Sequence, residues 1–214
     1  VSMLAADYLL DYVLKALRMF CGYWSFFLYY TLLLFLINSF ILFVLKRLKK
    51  TDLQVKYYSL FITKVGLVII FLCMIIGTFE AYSPVVRHEI ITTKKITAPI
   101  RIVLISDLHL GTFLGKEYCE KMVERINSEN PDLILIAGDI IDDRYAIVKR
   151  QTSIEPLGML KAKSGVAAVL GNHDYWNYSL NAPKIWKQRC QKDNIFILEK
   201  ESLLLESVNL FGTT

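Results

Sequence analysis

Ile100-Arg101-Ile102-Val103-Leu104-Ile105-Ser106-Asp107-Leu108-His109 passes within a few residues from a β-branched apolar run into a polar turn. The apolar part suits a strand buried on both faces of a sheet. Two later stretches repeat the pattern. Leu133-Ile134-Leu135-Ile136-Ala137 runs into Gly138-Asp139-Ile140-Ile141-Asp142, and Val166-Ala167-Ala168-Val169-Leu170 runs into Gly171-Asn172-His173-Asp174. Between the first two, residues 115–130 place Tyr118, Met122, Val123 and Ile126 on one helical face, and Pro131 stops that helix. Asn181 reads as the cap of a further helix with Pro183 in its first turn, and 195–198 and 203–210 read as later strands. The alternation predicts an α/β domain over 98–214. In open α/β sheets ligands bind at the C-terminal strand tips, and three polar clusters fall at three such tips.

Those clusters carry metal-ligand chemistry. Asp107 and His109, two apart on a chain leaving a strand, are expected to project to one side and hold one divalent cation. Asp139 at the next tip reaches the same ion and, as a carboxylate, can bridge to a second, to which Asn172 offers a neutral carbonyl oxygen. Mixed oxygen and imidazole donors suit Mn, Fe or Zn better than a Ca or Mg cage. Two ions about 3.5–4 Å apart activate water and clamp phosphoryl oxygens. His173 is then placed to donate a proton to the leaving oxygen, and Asp174 to orient the His173 ring. Asp142 or its neighbour Asp143 supports the site or simply opens a solvated helix. Gly138 and Gly171 allow sharp turns at the strand ends. Asp-x-His alone is common; the three clusters in order, each after an apolar strand, make the pattern specific. His88 reads as an ordinary surface histidine.

At these residues the chain resembles the calcineurin-like metallophosphoesterase family, over about 98–214. Ser-Asp-Leu-His-Leu-Gly at 106–111 followed by Asn-Pro-Asp-Leu at 130–133 looks like its bacterial membrane-associated branch. The resemblance implies a β-sandwich flanked by helices. It implies Asp107, His109, Asp139 and Asn172 as metal ligands, with Asp139 bridging, and His173 as the catalytic acid. The family completes its site with Gly-His and Gly-His-x-His motifs near the C-terminus, whereas no histidine follows His173 here. Val1 is not Met and the chain stops just after a strand-like run, so both ends read as cuts and no signal peptide is claimed. This stretch alone is expected to bind metal weakly and hydrolyse poorly.

The first 84 residues read as a membrane region. Residues 19–45 are an uncharged run of 27, long enough for a hydrocarbon core of roughly 30 Å. Residues 65–79 are uncharged but only 15, and make a span of 60–79 if Lys64 snorkels. Asn38 reads as a helix–helix contact. Residues 1–18 carry Asp7, Asp11, Lys15 and Arg18 at helical spacing, fitting an interfacial amphipathic helix or the tail of an earlier segment. Residues 85–97 read as a linker.

The mean hydropathy of +0.40 over 214 residues is high for a soluble domain. Residues 1–99 carry 11 Lys/Arg against 5 Asp/Glu, and 100–214 carry 14 against 15. The positive charge therefore belongs to the membrane half, and no nucleic-acid partner is expected. Six cations within 46–64 place that loop in the cytoplasm and the later domain on the other face, as at a bacterial inner membrane. Cys21 and Cys73 lie in apolar runs and read as small hydrophobes. The leading expectation is hydrolysis of a phosphomonoester, phosphodiester or pyrophosphate, with a lipid-linked phosphate in reach of the anchor. The alternative is a non-catalytic, metal-stabilised binding or sensor domain, against which His173 stands as a proton donor that a structural site does not need. A transporter is disfavoured because the spans carry no paired charges.

Overall fold

The computed structural model describes residues 2–96, 98–143, 145–175, 182–205 and 208–213. It divides into two compact units, 1–85 and 86–214.

The first unit is a pair of helices, α1 (Ser2–Arg47) and α2 (Asp52–Ala81). Residues 2–18 simply continue α1, although the Asp7 and Asp11 side chains lie outside the described residues. Caps rather than apolar composition set the helix ends. Lys49 at φ 53 closes α1, and Thr51 opens α2 by exchanging hydrogen bonds with Gln54. At 46 residues α1 is about 69 Å long by its rise per residue, more than twice a hydrocarbon core. Within the pair, 12–47 and 52–81 are long and apolar enough to cross a membrane. Phe20, Phe35, Phe40 and Phe71 point outward, as expected where lipid is the solvent. The helices meet through polar and small residues. Asn38 Nδ2 donates to Ser59 Oγ and Thr63 Oγ1, both at 3.2 Å, and Tyr23 and Thr78 share a 2.8 Å hydrogen bond. A Cβ on Gly66 would come 2.4 Å from Leu34 Cδ1, so glycine admits Leu34 there.

The second unit carries a four-stranded parallel sheet in the order β1-β2-β3-β4: β1 (Ile102–Ile105), β2 (Leu133–Ala137), β3 (Val166–Val169) and β4 (Ile195–Ile197). Parallel neighbours need crossovers. They are supplied by α3 (Lys116–Ser128), by α4 (Tyr145–Arg150) with a 3-10 turn at Glu155–Met159, and by α5 (Asn172–Tyr175) with α6 (Ala182–Lys192). α3 buries Cys119, Met122, Val123 and Ile126. Cys119 completes the face read from the sequence, and Tyr118 lies at its half-buried margin. The helix stops before Pro131, because Asn130 takes φ 49 and donates to Asn127 O. Asn181, expected to cap α6, lies outside the described residues. His88 is exposed and pairs with Glu129 at 3.0 Å.

Two expectations about strands are corrected. β1 is not buried on both faces: Val103 and Ile105 pack on the core, while Ile102 and Leu104 are 44% and 67% exposed. β1 is an edge strand of the sheet, with Ile102 and Leu104 on its exposed face. The run 203–210 is not one strand but two, β5 (Ser202–Leu205) and β6 (Val208–Phe211), paired antiparallel. The polar residues Glu206 and Ser207 divide the run and lie outside the described residues. Leu210 and Phe211 line a groove with Leu104, Leu135, Val169 and Leu198 on the open face.

Candidate metal centre

Pairing between the first two strand tips continues past the strands. Asp107 N–H donates to Gly138 O (3.2 Å), His109 N–H to Asp139 O (2.9 Å), Leu110 N–H to Ile140 O (2.9 Å) and Asp142 N–H to Leu110 O (3.1 Å). With Leu110 fully buried, the two polar turns are locked side by side. Their backbone is left-handed at Asp107 (φ 54), His109 (φ 43) and Asp139 (φ 51), beside Gly138 (φ 87). Each left-handed L-residue costs on the order of 1–2 kcal/mol, and such strain gathers where a side chain must be aimed. Asp107 and His109 therefore reach one centre through left-handed residues, not through the extended chain the sequence suggested.

Asp107, His109 and Asp139 each present a donor atom, all within 4.8 Å of one another. His109, Asp142 and His173 form a second such group. In it Asp142 Oδ1 stands 2.8 Å from His173 Nδ1 and 3.5 Å from His109 Nδ1, and the two rings meet edge to face at 4.7 Å. Among the described residues, no Lys or Arg pairs with Asp107, Asp139 or Asp142. Three carboxylates and two imidazoles gathered without a neutralising cation fit divalent metal.

The third cluster docks by close backbone approach. A Cβ on Gly171 would fall 2.1 Å from Asp139 Oδ1, and one on Gly138 2.7 Å from Gly171 N, so glycine is required at both. His173 N–H donates to Asp139 Oδ1 at 2.9 Å, which seats the start of α5 on that carboxylate. Asn172 opens α5 from an exposed position at the rim.

Asp174 does something other than expected. It is fully buried, and its carboxylate accepts from the N–H groups of Gly171 (2.9 Å), Ile140 (3.0 Å) and Ile141 (3.1 Å). Burial pushes its carboxyl above the ordinary range, against the pull of those three donors. It ties the third turn to the second, and Asp142 is the carboxylate on the His173 ring. Asp143, left open by the sequence, accepts from Thr112 N–H at 2.7 Å and from the Thr112 hydroxyl, pinning the turn after His109. The two residues are 31 apart, and no local pattern joins them.

Residues 100–210 match the family model described as calcineurin-like phosphoesterase. An uncharacterized metallophosphoesterase of Helicobacter pylori is 32% identical over 102 residues, 47% of this chain and 27% of the relative. A zebrafish transmembrane protein with metallophosphoesterase domain is 34% identical over 118 residues, 53% of this chain and 26% of the relative. The UDP-2,3-diacylglucosamine pyrophosphatase LpxG of Chlamydia muridarum is 37% identical over 79 residues, 37% of this chain and 24% of the relative. The chain spans about a quarter of the length of the curated relatives it matches.

Proposed function

Because the chain belongs to the calcineurin-like phosphoesterase family, we propose that it takes part in metal-dependent hydrolysis of a phosphate ester or pyrophosphate at a membrane. The convergence of Asp107, His109 and Asp139 donor atoms within 4.8 Å at adjacent parallel strand tips carries this reading. In it Asp107, His109 and Asp139 would hold one divalent cation, and Asp139 and Asn172 would offer oxygens to a second. Mn, Fe or Zn bound there would supply Lewis-acid activation of water and neutralise phosphoryl charge. His173 Nδ1 lies 2.8 Å from Asp142 Oδ1, so a proton on Nδ1 would be donated to that carboxylate. As the imidazolium, carrying a second proton on Nε2, the ring would hand that proton to the leaving oxygen and keep the one on Nδ1. Asp174 keeps Gly171, Ile140 and Ile141 in register, so the acid and the ligands hold their spacing.

Two apolar helices and a relative named as a transmembrane protein point to a membrane protein. The Lys/Arg excess at 46–64 supports a cytoplasmic turn between the helices and a hydrolase domain on the opposite face of a bacterial inner membrane. A lipid-linked pyrophosphate is the finer substrate reading, supported by the named activity of LpxG.

The test assays the full-length protein with Mn or with chelator on p-nitrophenyl phosphate and bis-p-nitrophenyl phosphate. Asp139→Ala is expected to lose bound metal. His173→Ala is expected to keep metal and lose turnover by about 10²–10⁴-fold. Turnover unchanged by chelator, or metal content unchanged in Asp139→Ala, would overturn the reading.

A further inference from the structure

Five cations crowd the connection between α1 and α2: Lys46, Arg47, Lys49, Lys50 and Lys56. All are exposed, and among the described residues none is paired with a carboxylate. Asp52 is the single acid in 46–64. The connection is not a loose loop. Leu48 N–H donates to Val44 O (3.0 Å), Lys49 N–H to Lys46 O (3.1 Å) and Lys50 N–H to Leu45 O (3.2 Å), and Thr51 begins the next helix at once. Like charges held this close repel, and Asp52 is the one acid within 46–64 to offset them. Exposed Leu48, Leu53, Tyr57 and Tyr58 stand among them, and Arg47 lies 5.3 Å over the Phe43 ring. Aromatic and basic residues mixed at the end of two apolar helices mark the level of lipid headgroups.

We propose that this turn, residues 46–56, is a binding surface for the phosphate groups of anionic phospholipids. The ammonium and guanidinium groups meet the lipid phosphates while the tyrosines and leucines sink into the boundary below. The surface belongs to the first unit and serves to hold the hairpin in an anionic leaflet. The proposal rests on the reading that α1 and α2 span the bilayer.

The test uses the full chain reconstituted with mixed phosphatidylcholine and phosphatidylglycerol, with retained lipid counted by native mass spectrometry. Phosphatidylglycerol is expected to be retained in preference and to be lost at high salt. In Lys46→Gln/Arg47→Gln/Lys49→Gln/Lys50→Gln the preference is expected to fall about fivefold for each cation removed, down to parity. Lys46→Arg/Lys49→Arg/Lys50→Arg is expected to keep it. Equal retention of the two lipids by the wild-type chain, or a preference indifferent to salt, overturns the proposal even if the glutamine variant fails to fold. So does displacement of the lipid by glycerol phosphate or by RNA at equal phosphate concentration. Flotation with pure phosphatidylcholine vesicles separates the two readings. A chain that floats without lipid preference defeats only the headgroup surface, whereas a chain that does not float defeats the spanning helices as well.

Discussion

Asp142 and His173 are 31 residues apart and share a 2.8 Å contact, so the carboxylate governs where the ring points. Asp142→Asn can no longer hold the Nδ1 proton as an ion would, and turnover is expected to fall about 10–100-fold with metal content unchanged. Metal analysis beside steady-state kinetics checks this. Asp174 offers a contrasting case. Asp174→Ala strands two buried N–H groups and the half-buried one of Gly171, and is expected to cost on the order of 3 kcal/mol, read as a lower midpoint in urea unfolding. At this scale the sequence is informative about identity and poor about partnership. Asp107, His109, Asp139 and His173 stand out because each follows an apolar run. Which of Asp142 and Asp174 would meet the imidazole depends on packing across segments more than 30 residues apart. The left-handed backbone at Asp107, His109 and Asp139 is equally silent, since aspartate and histidine occupy ordinary turns as well.

Among elements, the strands leading into the three tips are legible because each is a short apolar run closed by glycine or serine. The partition of 203–210 into a hairpin is not, since five of its eight residues are Leu or Val and period alone does not locate a reversal. Helix ends are also poorly legible, because lipid-like composition and helical propensity stop at different residues. The α1–α2 pair has its own prediction. Asn38→Val removes donors to Ser59 and Thr63 and is expected to weaken helix association by about 0.6–2 kcal/mol, measured by unfolding in mixed micelles. At the opposite end of the sheet from the site, the Arg101 N–H and then the Lys163 ammonium hold the Asp132 carboxyl below its ordinary 3.8. The folded chain thus takes up that proton less readily than the unfolded chain. The stabilisation is present above about pH 4 and is lost as acid carries the pH through the folded-state value. Lys163→Ala should unfold at higher pH on acid titration followed by circular dichroism, and should match wild type below that value.

For the whole molecule the charge balance and the apolar surface tell different stories. The excess of cations lies in the first 99 residues, while 100–214 is nearly balanced. By charge alone the second unit resembles an ordinary soluble domain. Its surface does not, because Ile102, Leu104, Phe196, Leu204 and Phe211 remain between 44% and 69% exposed. Residues 86–214 prepared without the first unit are expected to bind a hydrophobic dye and to elute at high mass by light scattering. Leu104→Lys/Phe211→Lys is expected to reduce both signals. A micelle chosen to cradle the two long helices will also find this second place to adsorb. The surfactant bound per chain, measured by refractometry, should then exceed what two helices alone can wet, and trimming the helices away will not free the remainder from its need for amphiphile.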